Sequence, residues 1–101
     1  MVFDLVEFTM VHGESNGHEL KLFALSTCGF CKRAIAFLKD NGVGYSFVYV
    51  DRLPVGEKKR IKDEFYKLFM TRMMFPAMVI DGTDTIVGFT EETWKQKLGV
   101  K

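Results

Sequence analysis

Cysteine, proline and tryptophan are scarce in this chain, and no hydrophobic stretch is long. The 101 residues include two cysteines, two prolines and one tryptophan. A small secreted scaffold held together by disulfides would carry more cysteines, so that class is excluded. No apolar run reaches the roughly 18 residues that a membrane-spanning helix needs. Because 48% of the residues are apolar, the sequence predicts one ordinary globular domain over residues 1–101.

An excess of one charge is also missing. The 14 Lys and Arg residues nearly balance the 13 Asp and Glu residues, which leaves a net charge of +1. Nucleic-acid-binding domains usually carry a basic patch, and attraction to a membrane surface needs one too. We therefore expect neither a nucleic-acid nor a membrane partner. The run Lys58-Lys59-Arg60 is mixed with acidic neighbours and is typical of a solvated helix face.

The N-terminal residues lack the features of a secretory signal. Residues 1–8 have no basic start, no continuous apolar stretch and no small-residue cleavage site. We therefore expect a cytoplasmic protein, in a compartment that keeps thiols reduced. We also expect it to be a monomer.

Hydrophobic periodicity predicts an α/β protein in which strands and helices alternate. A first helix opens at Cys28 and stops at Asn41-Gly42, and a last helix is capped by Thr90 and stopped by Gly99. The predicted strands cover residues 5–11, 20–25, 45–51, 77–80 and 85–87, and the middle helix covers 56–70. We expect Trp94 of the last helix to pack against the sheet and the middle helix to bury one face, formed by Ile61, Phe65, Leu68 and Phe69. A right-handed crossover makes strands 20–25 and 45–51 parallel, and helices cover both faces of a small mixed sheet. The position of the leading strand in this sheet stays open.

The two cysteines, Cys28 and Cys31, lie where a strand gives way to a helix. A bridge that closes so short a loop removes little chain entropy, so chemistry explains the pair better than stability does. The free N–H groups of the first helical turn stabilise a thiolate at Cys28, and Lys32 and Arg33 add positive charge. Because the thiolate is the nucleophile of disulfide exchange, we expect Cys28 to attack a substrate disulfide. Cys31, one turn later on the buried face, is then expected to resolve the mixed disulfide.

Three other interpretations of the C-x-x-C pair stay open at this level. A structural zinc site would need four ligands, and the other soft candidates are His12 and His18, which lie in a loop. An iron–sulfur cluster shared between two chains and an inert pair of core cysteines are the remaining alternatives. The position between strand and helix favours thiol–disulfide exchange, which needs no bound metal or organic cofactor.

Residues 20–98 resemble the glutaredoxin branch of the thioredoxin superfamily. The resemblance rests on Cys28-Gly29-Phe30-Cys31 after a strand, on Phe75-Pro76 before a strand, and on Val87-Gly88-Phe89 before the last helix. It implies a thioredoxin-like fold with a four-stranded mixed sheet, to which residues 1–18 add an extra strand and loop. It also implies a dithiol oxidoreductase that reduces protein or small-molecule disulfides. An external thiol such as glutathione, or a donor of the thioredoxin reductase type, would recharge it.

The same resemblance implies which residues form the substrate groove. Pro76 would be cis, would face the cysteines and would present the backbone of Phe75 to an extended substrate. A trans proline that starts an edge strand is the open alternative. Among four clustered methionines, we expect Met73 or Met74 at the groove rim, and Met70 and Met78 in the core. The implied substrate-binding set is Gly29, Phe30, Met74, Phe75, Pro76, Gly88, Phe89 and Thr90.

Departures from the classical glutaredoxin pattern bear on the electron donor. Gly29-Phe30 stands where classical members have Pro-Tyr, and Leu25 stands where they often have the lysine that holds the carboxylate of glutathione. The pair Gly88-Phe89 is similar to the glutaredoxin-like hydrogen donors of ribonucleotide reductase, which accept electrons from thioredoxin reductase. We therefore expect glutathione to be a poor reductant compared with a reductase enzyme.

Overall fold

The described part of the chain folds into five strands and three helices. The computed structural model describes residues 6–14 and 17–99. Among these residues, no helix is both long enough and apolar enough to cross a membrane. The strands are β1 (Thr9–Val11), β2 (Leu20–Ala24), β3 (Tyr45–Tyr49), β4 (Ala77–Ile80) and β5 (Asp84–Val87), and the helices are α1 (Gly29–Asp40), α2 (Val55–Phe69) and α3 (Glu91–Leu98), with a 3₁₀ turn at Val50–Arg52.

The strands form one mixed sheet in the order β1-β3-β2-β4-β5. β2 and β3 are parallel, with α1 as their crossover, and β4 and β5 continue the sheet in antiparallel pairing. This confirms the predicted fold class. β1 pairs antiparallel with β3, with Thr9 opposite Phe47 and Val11 opposite Tyr45. The leading strand therefore extends the sheet at its β3 edge.

Each face of the sheet carries its own hydrophobic core, because alternate residues of a strand point to opposite sides. In β2, Leu22 belongs to the cluster with α1 and α3, whereas Phe23 belongs to the cluster with α2. The first cluster includes Leu20, Ala34, Phe37, Leu38, Met78, Ile80, Trp94 and Leu98. The second cluster includes Val6, Val48, Val50, Ile61, Phe65, Met73, Ala77 and Val79.

Several element boundaries differ from the sequence-based expectation. The leading strand begins at Thr9 and not at residue 5, which lies outside the described residues. Strand β3 ends at Tyr49, because residues 50–52 tighten into the 3₁₀ turn and leave the sheet. Helix α2 starts at Val55, directly after Pro54, whose fixed φ suits a helix entrance.

Two predictions about apolar side chains were wrong. Leu68, predicted on the buried face of α2, is 43% exposed. Met70, predicted in the core, is 75% exposed, because it ends α2 in a left-handed conformation (φ 53°) and lies beyond the packed turns. Of the two methionines predicted as alternatives at the groove rim, Met73 is buried in the α2-side core and Met74 is 60% exposed. Met78 and Trp94 are buried, as expected.

The first test concerns the junction between β1 and the rest of the sheet. A Cβ atom on Gly13 would lie 2.3 Å from the backbone nitrogen of Gly44 and 2.5 Å from the carbonyl oxygen of Gly42. Because backbone atoms cannot swing away as a side chain can, Gly13→Ala should lower the free energy of unfolding by about 1–3 kcal/mol. Gly17→Ala is the control, since nothing lies within 4 Å of its Cβ position. Urea unfolding curves measure both, and equal midpoints for the two variants would contradict the close packing.

Candidate active site

One end of the sheet brings together the chain segments that the sequence singled out. β2 and β3 are parallel, with Ala24 beside Tyr49, so both strands finish at this end. β4 runs antiparallel to β2, with Ala77 opposite Phe23, so Pro76 lies at the same end just before β4 begins. The loop that carries the cysteines, the 3₁₀ turn and the proline segment therefore meet at one end of the sheet.

Cys28 is the N-cap of α1, as the sequence predicted. Its backbone is extended (φ −85°, ψ 119°), and its carbonyl accepts a hydrogen bond from the amide of Lys32 at 3.1 Å. Its Sγ accepts a hydrogen bond from the amide of Cys31 at 3.2 Å. A backbone donor and the positive end of a helix therefore lie beside this sulfur. Cys28 is half-buried, so part of the residue reaches solvent.

Cys31 has the opposite environment. It is a free thiol like Cys28, but its side chain is 1% exposed. Burial raises the pKa of the Cys31 thiol to about 12; the hydrogen bond with Cys28 adds to this rise, and a backbone hydrogen bond at Leu25 opposes it. Cys31 is therefore a protected, protonated sulfur beside an accessible one. This asymmetry fits one sulfur that attacks and a second sulfur that acts later.

Exposed apolar side chains lie on two of the segments that the sequence singled out. Phe30 is 57% exposed, with the guanidinium carbon of Arg33 5.6 Å from its ring centroid. Gly29 has nothing within 4 Å of its Cβ position, so the backbone there is open to close approach. Met74 is 60% exposed on the segment before β4, whereas Phe75 is half-buried against the α2-side core. Of the two candidate rim methionines, Met74 is therefore the exposed one.

Hydrogen bonds join Pro76 to Gly88 and Gly88 to Trp94. The peptide bond between Phe75 and Pro76 is cis, as the resemblance implied, and Pro76 is buried. Its carbonyl accepts a 2.7 Å hydrogen bond from the amide of Gly88, which has a φ of 77° that favours glycine. The carbonyl of Gly88 accepts a 3.0 Å bond from Nε1 of Trp94, whose ring packs edge-on against Phe89. Gly88 and Phe89 therefore have a packing role at this end of the sheet.

Thr90 lies at the N-cap position of α3, but its side chain does not cap the helix. The hydroxyl of Thr90 instead donates to the hydroxyl of Thr93 at 2.7 Å. The predicted N-cap position of Thr90 is confirmed, but its hydroxyl bonds another side chain instead of a backbone N–H of the helix. Glu91 and Glu92 do lie in the first turn, where the helix dipole favours negative charge.

Two residues of the site escaped the sequence analysis. The carboxylate of Asp51 accepts a hydrogen bond from the amide of Ser26 at 3.0 Å and another from its hydroxyl at 2.5 Å. The hydroxyl and amide of Ser26 together hold the pKa of Asp51 below its usual range. The sequence did hold a signal, since an acidic residue lies at the end of a strand that is parallel to the one before Cys28. The predicted strand 45–51 includes Asp51, whereas β3 ends at Tyr49.

Metal ligands do not converge in the part of the chain that the structure describes. Within residues 6–14 and 17–99, no three His, Cys, Asp or Glu side chains are grouped so that they could hold an ion. His18 hydrogen-bonds with the carboxylate of Asp81 at 2.8 Å, which ties it to the turn between β4 and β5. The cysteine pair of one chain therefore supplies two soft ligands without further donors beside them.

The different surroundings of the two sulfurs predict different reactivity. Iodoacetamide should modify Cys28 of the reduced, folded protein more than about a hundredfold faster than Cys31, because Cys31 reacts only after local opening and loss of its proton. Peptide mass spectrometry of samples quenched over time gives both rates. The unfolded chain is the control, in which the two rates should converge. Comparable rates in the folded protein would contradict the observed burial of Cys31.

Comparison with known proteins agrees with this geometry. The family model described as Glutaredoxin matches residues 20–84. A glutaredoxin of Methanosarcina mazei Go1 is 32% identical, with a TM-score of 0.78 over 93% of this chain and 89% of that chain. Methanoredoxin of Methanosarcina acetivorans is 30% identical, with a TM-score of 0.73 over 83% and 87% of the two chains. A glutaredoxin (grx-1) of Archaeoglobus fulgidus is 30% identical, with a TM-score of 0.67 over 79% and 85%. A search among curated proteins found no match. The chain belongs to the glutaredoxin family.

Proposed function

We propose that this chain is a dithiol oxidoreductase that reduces disulfides of proteins or small molecules. The observation that carries the proposal is the asymmetric pair at the N-terminus of α1. Cys28 is a half-buried N-cap whose sulfur accepts a backbone hydrogen bond, and Cys31 is a buried thiol one turn later. Membership of the glutaredoxin family supports thiol–disulfide chemistry at this pair.

In the first step, the Cys28 thiolate attacks one sulfur of a substrate disulfide. A new S–S bond joins Cys28 to that sulfur, the substrate S–S bond breaks, and the other substrate sulfur leaves as a thiolate that takes a proton from water. The amide of Cys31, which donates to Sγ of Cys28, stabilises the attacking anion before this step. The product is a mixed disulfide at the accessible position.

In the second step, Cys31 loses its proton to solvent and attacks Sγ of Cys28. The Cys28–Cys31 bond forms, the mixed disulfide breaks, and the second substrate sulfur leaves and is protonated. The substrate has then gained two electrons and two protons. The protein has lost two electrons and the proton of Cys31, and solvent supplies the second proton because Cys28 reacts as a thiolate. Because burial raises the pKa of Cys31, this step waits for a proton to leave and follows the first in time.

An external donor must return the two electrons. Two molecules of a low-molecular-weight thiol, or the dithiol of a reductase flavoprotein, would reduce the Cys28–Cys31 disulfide by the reverse exchange. We propose that this cycle runs in the cytoplasm, where the thiol pool stays reduced. A monomer suffices for the proposed chemistry, since one chain provides both sulfurs.

The groove proposed for the substrate lies along the segments beside Cys28. An extended peptide would run beside Phe75 and Pro76, with the exposed side chains of Phe30 and Met74 as apolar contacts. A flexible methionine and a free aromatic ring adapt to varied sequences, which suits an enzyme with several protein substrates. Gly88, Phe89 and Thr90 are proposed to shape the far side of the groove.

The roles of the two sulfurs can be separated by single substitutions. Cys28→Ser should reduce disulfide turnover to the uncatalysed background, because the accessible nucleophile is gone. Cys31→Ser should still attack but should accumulate the mixed disulfide, since the resolving sulfur is missing. Intact-mass spectrometry after reaction with bis(2-hydroxyethyl) disulfide detects one added mercaptoethanol on Cys31→Ser and none on Cys28→Ser. Turnover retained by Cys28→Ser, or the absence of an adduct on Cys31→Ser, would contradict the assignment.

The proposed donor preference depends on Leu25, which stands where classical glutaredoxins often have a lysine. We expect glutathione to reduce the wild-type disulfide poorly, and Leu25→Lys to lower the KM for glutathione by up to about fivefold through one exposed ion pair. Leu25→Gln is the neutral control and should leave KM unchanged. Steady-state rates with glutathione and with a thioredoxin reductase compare the donors. A strong, saturable glutathione rate in the wild type would overturn this preference.

A further inference from the structure

The loop that carries Cys28 is tied to the neighbouring strand by one carboxylate. Oδ1 of Asp51 accepts the amide of Ser26 at 3.0 Å, and Oδ2 accepts its hydroxyl at 2.5 Å. We call these two hydrogen bonds the Asp51–Ser26 clamp. Ser26 lies two residues before Cys28, and Asp51 belongs to the 3₁₀ turn that follows β3. The clamp therefore joins the ends of two parallel strands at the end of the sheet that carries the cysteines.

The clamped loop contacts the backbone of Cys28 and the thiol of Cys31. The carbonyl of Leu25 accepts the amide of Cys28 at 3.2 Å, which closes the turn into α1. A backbone hydrogen bond at Leu25 also acts on the thiol of Cys31. Because Ser26 is the next residue in the chain, a shift of the loop would move the surroundings of both sulfurs together.

We propose that Asp51 is a positioning residue of the dithiol site, which fixes the loop of residues 25–28 through Ser26 and so sets how fast Cys31 resolves a mixed disulfide on Cys28. This inference rests on the proposed function. It assigns a role to a carboxylate that touches neither sulfur by hydrogen bond and that lies outside the C-x-x-C motif.

The resolving step is more sensitive to this clamp than the first attack. A substrate disulfide can adjust its approach to an accessible Cys28, because it comes from solution. Cys31 cannot adjust in the same way, since its side chain is packed in the interior and its sulfur must align with the S–S bond on Cys28. Small displacements cost large factors in such intramolecular reactions, up to about a hundredfold for 1 Å.

The charge of Asp51 acts against the same step. After burial and the contacts with Cys28, the negative charge of Asp51 is a further cause that raises the pKa of Cys31. The carboxylate is a poor proton acceptor, because its two hydrogen bonds to Ser26 lower its own pKa and Arg52 beside it contributes in the same direction. Asp51 thus holds the geometry for resolution and slows the loss of the proton. The two effects can be separated by substitution.

Four variants separate the clamp from the charge. Ser26→Ala removes one hydrogen bond and keeps the charge, and Ser26→Thr keeps the hydroxyl. Asp51→Ala removes both, whereas Asp51→Asn removes the charge but keeps an acceptor for the amide and a donor for the hydroxyl. Asp81→Ala is the matched control, since Asp81 accepts the amide of Glu19 at 2.7 Å and bonds His18, on strand ends away from the cysteines.

Single-turnover mixing of each reduced variant with bis(2-hydroxyethyl) disulfide, followed by acid quench and intact-mass analysis, measures both steps. The mixed disulfide adds one mercaptoethanol to Cys28, and its disappearance into the Cys28–Cys31 disulfide gives the resolving rate. We expect Ser26→Ala and Asp51→Ala to resolve roughly tenfold more slowly, with the attack rate changed by less than about twofold. Ser26→Thr and Asp81→Ala should match the wild type. Asp51→Asn should resolve at least as fast as the wild type. Its resolving rate should rise roughly threefold for each unit by which the pKa of Cys31 falls.

The outcomes distinguish this inference from the proposed function. If wild-type protein forms no mixed disulfide, the proposed function itself fails. If Ser26→Ala and Asp51→Ala form the mixed disulfide and resolve it at the wild-type rate, or if attack slows by the same factor as resolution, the positioning role is wrong. An Asp51→Asn variant as slow as Asp51→Ala would also overturn it, because the charge and not the clamp would then be required. The melting temperatures of Ser26→Thr and Ser26→Ala show whether a loss of folded protein explains a slow resolving rate.

Discussion

The parallel pairing of β2 with β3 is the constraint on which the site depends. Two parallel strands finish at the same end of the sheet, so the loop after β2 and the turn after β3 meet there. The antiparallel β4 begins at this end and brings Pro76 to it. A helix that starts at this point directs its free N–H groups towards whatever residue precedes it. In this chain that residue is Cys28, and the pairing of the strands therefore decides where the reactive sulfur lies.

The chemistry follows from a difference in environment between two identical side chains. One helical turn separates Cys28 at the open end of α1 from Cys31 on its packed face. The open end supplies the sulfur of Cys28 with a backbone donor and with the partial positive charge of a helix N-terminus. The packed face withdraws water, and burial raises the pKa of Cys31 to about 12. The order of attack and resolution in the proposed cycle needs no further device than this difference.

The surface beside the sulfurs stands on a rigid support. Backbone hydrogen bonds join Pro76 to Gly88, and the indole of Trp94 fixes Gly88 from behind. The side chains of Phe30 and Met74 are exposed, so they are free to adapt. A fixed backbone with adaptable side chains suits a site that takes varied disulfides. The clamp between Asp51 and Ser26 extends the same rigidity to the loop in front of Cys28.

The sequence by itself determined the order of elements, the helix that opens at Cys28 and the packing of Trp94, because hydrophobic periodicity and helix-end signals act over a few neighbouring residues. Only the tertiary structure decided that β1 pairs with β3, that Met70 faces solvent while Met73 is buried, and that the hydroxyl of Thr90 bonds Thr93 instead of capping its helix. It also decided that Asp51 holds Ser26, which lies 25 positions earlier in the chain. Local patterns cannot specify such contacts, since they depend on which strand ends meet and on which partner wins a hydrogen bond when several are within reach.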